Sequence, residues 1–272
     1  MSTAVLLAAA GSGTRLGAGM PKALAPLSDG RTLLEHGLET VARLPQVAVV
    51  VVLVPPEAAA RAEVTAIVEE AALRLGMTAS CVPGGAERAD SVAAGLAEVA
   101  RLLGAADPGT PAPGTSSPAT LPDDGTHLHA DRHLVLVHDA ARPFTPPSVF
   151  AAVVAALGSA DAVIPAVPVT DTVKEVRVDA DGAETVVGTP SRATLRAVQT
   201  PQGFDLDALL AAHEQVRRDP ELDAAALTDD AMVMEAAGHA VRVVPGHADA
   251  FKITTPADLE TAAALIARRS LS

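Results

Sequence analysis

The chain has 272 residues and a formal net charge of −13 at pH 7, and only 1% of its residues are aromatic. This acidic balance argues against a partner among nucleic acids or acidic membranes, which attract clustered positive charge. The lack of aromatic rings also argues against a platform that stacks single-stranded bases. A hydrophobic fraction of 49% is sufficient for one large α/β domain with an aliphatic core.

The N-terminus and the apolar runs predict a soluble cytoplasmic protein. No basic region precedes the first apolar stretch, so the N-terminus does not resemble a signal peptide. The longest apolar run, residues 47–54, is too short to span a bilayer and stops at Pro55. The single cysteine, Cys81, excludes an intrachain disulfide and is interpreted as a small buried hydrophobe.

Strand and helix patterns alternate along the first half of the chain. Apolar runs predict strands at residues 4–7, 47–54, 77–82 and 134–137. Helices are predicted after the capping box that begins at Thr32, over residues 57–75 with Gly76 as the end signal, and over residues 91–103. The alternation predicts a Rossmann-like α/β fold, a mostly parallel sheet with helices on both faces.

The second half continues this pattern and adds a protruding β-hairpin arm. A helix after Pro147 and a strand at residues 162–167 are followed by valines that alternate with polar residues around a turn at Gly182. This predicts a hairpin arm over residues 170–190. Helices are then predicted at 206–216 and 229–237, a strand at 241–244, and a last helix that begins at Thr255.

Residues 104–132 break the pattern. Five prolines stand among Gly, Ser, Thr and Asp without any apolar period, which predicts a flexible surface insertion. The histidines in and beside it, at positions 127, 129 and 133, lack the companions of a metal site, so a solvated loop is the preferred interpretation.

The loop after the first strand is a candidate phosphate site. Its small residues allow backbone N–H groups to approach phosphate oxygens closely, and two bases follow it. A dinucleotide fingerprint is disfavoured because Leu16 stands where the third glycine belongs, and a P-loop because Ala18 follows Gly17. The alternative is a plain strand-to-helix turn. The candidate residues are Ala8, Ala9, Ala10, Gly11, Gly13, Arg15 and Lys22.

Two further loops lie at predicted strand ends. Gly84, Gly85 and Ser91 could contact a base edge, although a helix cap and turn explains these residues equally well when they are taken alone. Asp139 ends an apolar strand, where a carboxylate could hold Mg²⁺ beside a nucleotide. Arg142 could meet a phosphate with two hydrogen bonds, and the alternative is a local Asp–Arg ion pair.

Seven motifs in order resemble those of the 2-C-methyl-D-erythritol 4-phosphate cytidylyltransferase family, nearly end to end except for the insertion. They are Ala8-Ala9-Ala10-Gly11-x-Gly13-x-Arg15, Pro21-Lys22, Gly84-Gly85-x-x-Arg88-x-x-Ser91-Val92, His138-Asp139-Ala140-Ala141-Arg142-Pro143, Gln199-Thr200-Pro201-Gln202-x-Phe204, Thr228-Asp229-Asp230 and Lys252-Ile253-Thr254-Thr255-Pro256.

The resemblance implies a single nucleotidyltransferase domain over residues 1–272. It would transfer a cytidylyl group from CTP to 2-C-methyl-D-erythritol 4-phosphate and release pyrophosphate. Mg²⁺ or another divalent cation is the implied cofactor, with Asp139 as metal ligand. A homodimer is also implied, in which the hairpin arm reaches the partner's acceptor site.

The resemblance also assigns roles to residues. The catalytic set would be Arg15, Lys22, Asp139 and Arg142. Nucleotide binding would involve the backbone of residues 8–13, the base contacts Gly84, Gly85 and Ser91, and Ala140. The acceptor would be bound by Thr172, Arg192, Thr200 and Lys252. The chain departs from the family pattern at Ala86, where many relatives carry a polar residue, and at Leu195-Arg196 and Met232.

Three alternatives stay open at this point. The same chemistry on another polyol phosphate, such as ribitol 5-phosphate, would use the same nucleotide loops. A non-catalytic nucleotide-binding regulator would have no need for the acceptor residues. A nicotinamide dehydrogenase is disfavoured by Leu16 and by the lack of an acidic residue for the ribose.

Overall fold

The computed structural model describes residues 2–11, 13, 16, 20–85, 87–104, 132–219, 222 and 226–270. The strands in chain order are β1 (Ser2–Ala8), β2 (Val47–Val54), β3 (Ala79–Pro83), β4 (His133–Asp139), β5 (Ala162–Pro168), β6 (Glu175–Val178), β7 (Glu184–Gly188), β8 (Arg196–Val198), β9 (Gln202–Asp205) and β10 (Val241–Pro245). The helices are α1 (Leu33–Ala42), α2 (Ala58–Leu75), α3 (Arg88–Leu103), α4 (Pro147–Ala156), α5 (Leu206–Arg218), α6 (Asp230–Ala236) and α7 (Pro256–Arg269).

The central sheet has the strand order β10-β5-β9-β4-β1-β2-β3, and β8 pairs with β5 beside this path. Strand β1 is parallel to both β2 and β4, β2 is parallel to β3, and β10 is parallel to β5. Strand β9 runs antiparallel to both β4 and β5, and β8 is antiparallel to β5. The predicted Rossmann-like, mostly parallel sheet is therefore confirmed.

Apolar side chains cover both faces of the sheet, as the unbroken apolar run of β2 requires. On one face Val52 packs in a cluster with Leu34 and Phe150, which belong to α1 and α4. On the other face Leu6 packs with Leu96 and Phe204, and α3, α5 and α6 supply most of the cover. This packing fixes the carboxyl ends of β1 to β4 along one edge.

The predicted helix signals function as caps, with one difference in position. Thr32 and Thr255 each form a capping box, and Gly76 ends α2 in the left-handed conformation. Helix α3 begins at Arg88 rather than at residue 91, because Glu87 and Asp90 form a capping box of their own. Ser91 therefore lies in the first turn of α3, close to the loop that precedes it.

Strand β9 is the main element that the sequence pattern missed. It has only four residues and begins with Gln202, so it lacks the alternation or the apolar run typical of a strand. Gly203 faces a crowded layer, where an added Cβ would lie 2.4 Å from Val153 Cγ1. The absence of a side chain at this position is therefore required by packing.

The predicted hairpin is present as a separate two-stranded sheet of β6 and β7. Its valines remain open to solvent in the single chain, at 42% for Val176, 65% for Val178, 54% for Val186 and 51% for Val187. The predicted insertion falls largely on residues 105–131, which lie outside the described residues. None of the helices described here is both long and apolar enough to cross a membrane.

Candidate active site

The carboxyl ends of β1 to β4 surround a cavity of about 520 Å³. Ligand sites of open α/β sheets form at this edge, and the volume is in the range of small-molecule sites. The structure brings most of the predicted nucleotide residues to its wall. Those that line it are Ala8, Ala9, Ala10, Gly11, Gly13, Lys22, Gly85, Ser91, Asp139, Ala140 and Lys252.

The small-residue loop folds back on the turn that carries Lys22. The Lys22 N–H donates to the Gly11 carbonyl at 3.1 Å. Gly13 has a φ of +68°, a backbone conformation that favours glycine. Glycine is also favoured by space, because an added Cβ would lie 3.0 Å from the Lys22 backbone nitrogen. The Ala9 N–H is used by the Leu53 carbonyl, whereas those of Ala10, Gly11 and Gly13 donate to no described residue. These three amides are the donors suited to phosphate oxygens.

The other predicted base on this loop, Arg15, lies outside the described residues. Lys22 therefore carries the positive charge of the described part of the loop. It occupies the first position of a short 3₁₀ helix, Lys22–Leu24, that packs against α1.

The double-glycine loop is held by its own hydrogen bonds. The Gly84 N–H donates to the Val54 carbonyl at 2.8 Å, and the Gly85 N–H donates to Ser91 Oγ at 2.9 Å. The Ser91 hydroxyl in turn donates to the Glu87 carbonyl at 2.9 Å. The donors that were expected to contact a base are thus used inside the loop, and Gly84 does not line the cavity.

Asp139, at the end of β4, is the centre of charge in the cavity. Its Oδ2 lies 2.9 Å from Lys252 Nζ and 3.4 Å from Arg142 Nε. Burial opposes ionisation of this carboxyl, but the positive charges of Lys252 and Arg142 outweigh burial and hold its pKa below the usual range. The group is therefore a carboxylate at neutral pH.

Arg142 lies behind Asp139 rather than in the cavity wall. Its Nη1 donates to the Ala250 carbonyl at 2.7 Å, and its Nη2 contacts the Val198 carbonyl at 3.4 Å. The ion pair with Asp139 that was considered as the alternative is present, and the Arg142 side chain is only 12% exposed. In this structure Arg142 joins three segments around Asp139, and its contact with a phosphate stays a prediction.

Thr200 holds the backbone of Asp139. Its Oγ1 accepts a hydrogen bond from the Asp139 N–H at 3.0 Å and lies 2.9 Å from His138 Nδ1. Burial lowers the pKa of His138 to about 4, so its imidazole is neutral. Oγ1 serves as acceptor for Asp139 in either tautomer of that ring. Thr200 therefore positions the carboxylate, a role that the motif alone did not indicate.

Among the predicted acceptor residues Lys252 lines this cavity, whereas Thr200, Thr172 and Arg192 do not. Thr172 and Arg192 lie near the base of the hairpin and are exposed, and Arg192 Nη1 donates to the Thr170 carbonyl. Conversely, the cavity wall contains Arg88, to which the sequence pattern assigned no role. The sequence signal by which Arg88 could have been found is its position in the double-glycine motif, three residues after Gly85.

A parallel sheet whose carboxyl edge carries a small-residue loop, two lysines and the ionised Asp139 carboxylate is typical of a nucleotide-binding α/β protein. The model of the IspD family, described as 2-C-methyl-D-erythritol 4-phosphate cytidylyltransferase, matches residues 3–102 and 124–268. The chain belongs to this family of nucleotidyltransferases. The unmatched residues overlap the predicted insertion, whose flexibility and role stay a prediction.

Relatives and solved structures agree with this assignment. The chain is 42% identical to the 2-C-methyl-D-erythritol 4-phosphate cytidylyltransferase of Streptomyces avermitilis, with 99% of this chain and 94% of that one covered. It is 44% identical to the protein of the same name from Frankia casuarinae, covering 97% and 81%. The structure of the Thermus thermophilus cytidylyltransferase superposes with a TM-score of 0.63 at 34% identity, covering 97% and 98%.

The contact between Thr200 and Asp139 predicts a loss of turnover when the hydroxyl is removed. Thr200→Val keeps the shape but leaves the Asp139 N–H without its acceptor, and a small displacement of a reacting-site group is expected to lower kcat on the order of 10-fold to 100-fold. Thr200→Ser is the matched control and should stay near wild type. Steady-state kinetics with a thermal melt of each variant tests this. Wild-type kcat in the valine variant would contradict it.

Proposed function

We propose that the chain transfers the cytidylyl group from CTP to 2-C-methyl-D-erythritol 4-phosphate, giving 4-diphosphocytidyl-2-C-methyl-D-erythritol and pyrophosphate. Membership of the IspD family supports both substrates. The observation that carries the proposal is the cavity that is lined by the small-residue loop, Lys22, Lys252 and the Asp139 carboxylate together. Both substrates are soluble phosphates, which is in keeping with the cytoplasmic location predicted from the sequence.

The reaction needs no general base. The acceptor is a phosphate monoester with a second pKa near 6, so it is mostly a dianion at pH 7. One of its oxygens attacks the α-phosphorus of CTP, a new P–O bond forms, and the bond to the bridging oxygen breaks as pyrophosphate leaves. No proton has to be removed from the nucleophile. This matches a cavity whose described wall contains no histidine or cysteine.

The main barrier is the approach of two polyanions. Lys22 and the amides of Ala10, Gly11 and Gly13 would neutralise and hold the triphosphate, with Arg15 as a further cation from the same loop. Lys252, in contact with Asp139 and in the wall of the same cavity, would meet the acceptor phosphate. Fixed donors of this kind stabilise the charge that develops as the leaving group departs.

Mg²⁺ or another divalent cation fits this site. The Asp139 carboxylate is ionised and adjacent to the loop amides, and Mg²⁺ is usually bound by one or two carboxylates together with substrate phosphates. Within the described ranges no group of three or more metal-ligating side chains occurs, so the substrate would supply the other ligands. When bound, the ion would add positive charge beside the reacting phosphates.

We also propose a homodimer in which the hairpin arm completes the partner's acceptor site. A two-stranded hairpin is marginal in water on its own, and the exposed valines at positions 176, 178, 186 and 187 require a covering surface. Thr172 and Arg192 sit away from the cavity of their own chain, which is the arrangement expected if they act in the neighbouring one. Arg192 would then clamp the acceptor phosphate there.

The proposal predicts one productive pair of substrates. Pyrophosphate release by the purified chain should be measured with CTP, UTP, ATP and GTP, each combined with 2-C-methyl-D-erythritol 4-phosphate or ribitol 5-phosphate. Release should require CTP and the methylerythritol phosphate, and each nucleotide without acceptor is the control. Preferred release with ribitol 5-phosphate would establish the alternative acceptor, which none of the observations above favours. No release with any pair would refute the proposed activity.

The dimer predicts recovery of activity when two inactive variants are mixed. Lys22→Ala and Arg192→Ala should each have little activity. In a heterodimer one site contains both defects and the other contains neither. Random subunit exchange should thus restore about a quarter of wild-type activity, since half of the dimers have one intact site of two.

The matched control mixes Lys22→Ala with Lys252→Ala. Both residues line the cavity of their own chain, so every site in that heterodimer keeps a defect and no recovery is expected. Native mass spectrometry of the mixtures verifies exchange. Complete exchange without recovery in the first mixture would mean that Arg192 serves its own subunit.

A further inference from the structure

Arg88, in the first turn of α3, is held by a carboxylate that is fully buried. Its Nη2 lies 2.6 Å from Asp230 Oδ2, and Asp230 is 0% exposed. The other oxygen of Asp230 lies 3.2 Å from His213 Nε2. The Arg88 side chain itself is 41% exposed and lines the active-site cavity. The pair thus joins an interior anchor to the wall of the site.

The anchor is fixed to the central sheet. Asp230 begins α6, whose N-terminus is capped by Asp229. Gln202 of β9 donates to the Asp229 carboxylate at 2.8 Å and accepts from the Ala231 N–H at 3.3 Å. Asp230 therefore has little freedom to move, and neither has the guanidinium nitrogen bound to it.

A stabilising role alone is a weak explanation for this pair. Burial opposes ionisation of Asp230, but the hydrogen bond from His213 and the charge of Arg88 outweigh burial and lower its pKa. Buried ion pairs seldom add net stability, because desolvation of the carboxylate offsets most of the attraction. What the pair does provide is a fixed orientation for a guanidinium that remains half-exposed in a cavity.

The Arg88 side chain also has hydrogen-bond donors that no described residue uses. Its Nε and Nη1 donate to no described residue, since the ion pair with Asp230 uses Nη2 alone. The neighbouring donors are already engaged, the Gly85 N–H with Ser91 and the Ser91 hydroxyl with Glu87. Within the described wall of this loop, Arg88 is thus the side chain with hydrogen-bond donors to offer a ligand.

We propose that Arg88 determines specificity for cytosine, an inference that rests on the proposed function. Cytosine presents two adjacent acceptors, O2 and N3. A guanidinium can donate to such a pair through two neighbouring nitrogens, here the second hydrogen of Nη2, which the Asp230 contact leaves available, together with Nε or Nη1. Uracil shares O2 but carries a hydrogen on N3, which opposes a second donor. The fork, held in place by Asp230, would therefore favour CTP over UTP through one of its two hydrogen bonds.

The test compares Arg88→Lys with Arg101→Lys. Lysine keeps the positive charge for Asp230 but lacks the fork, and Arg101 is an exposed arginine on the same helix that pairs with Glu98. In Arg88→Lys the ratio of kcat/KM for CTP to that for UTP should fall by roughly 10-fold to 100-fold, mostly through KM for CTP. The Arg101 variant should keep the wild-type ratio.

Calorimetric binding of CTP and UTP without acceptor separates this inference from the proposed function. If the wild type forms no product, the proposed function fails, but the ratio of the two dissociation constants still tests Arg88. A wild type without preference for CTP, or equal losses for both nucleotides in Arg88→Lys, would overturn the inference. So would full rescue by lysine, which indicates a purely structural ion pair. Arg88→Gln, checked by thermal melting, gives the same comparison if the lysine variant fails to fold.

Discussion

The contact of 2.9 Å between Asp139 and Lys252 is the interaction on which the rest of the site depends. It joins the end of the central strand β4 to the segment that leads into the last helix, α7. Arg142 binds the carbonyl of Ala250 in that same segment, and Thr200 holds the Asp139 backbone from a third direction. Two cations keep the carboxylate ionised although it is partly buried, so charge and geometry are set by the same contacts.

This arrangement explains how a chain of net charge −13 can bind two polyanions. The local field at the cavity is what acts on the substrates. The cavity lysines, the loop amides and Arg88 contribute its positive part, beside the acidic side chains Asp139, Glu57 and Glu87 that also line the wall. Asp139 and Asp230 each face a cation that lines the cavity, Lys252 and Arg88 respectively. Each carboxylate orients its cationic partner toward the cavity and neutralises part of that partner's charge.

Much of the fold followed from local patterns. The unbroken run of β2, the capping box at Thr32, the helix start at Thr255 and the end signal at Gly76 depend on neighbours in sequence, and each was predicted correctly. Strand β9 was missed because its place in the sheet depends on packing around Gly203. Its identity as a strand is therefore decided by tertiary contacts rather than by the composition of four residues.

The site was predictable in location but not in its internal contacts. Small residues and charges at strand ends placed the loop, Lys22 and Asp139 together, because parallel strands end at one edge. The family resemblance added Lys252. The pairing of Arg88 with Asp230 spans 142 positions and has no local signature. The hydrogen bond of the Ser91 hydroxyl within its own loop depends on the backbone conformation of that loop, so the sequence pattern did not predict it. The same holds for the placement of Arg142 behind Asp139.

The most direct measurement is the turnover of Asp139→Asn at saturating CTP and Mg²⁺, with its melting curve. Asparagine keeps the shape of the side chain but removes the charge at the centre of the site. We expect a folded protein with kcat lower by roughly 10²-fold to 10³-fold, the scale of one well-placed electrostatic group. Wild-type turnover in the folded variant would contradict the claim that catalysis depends on the charge of this carboxylate.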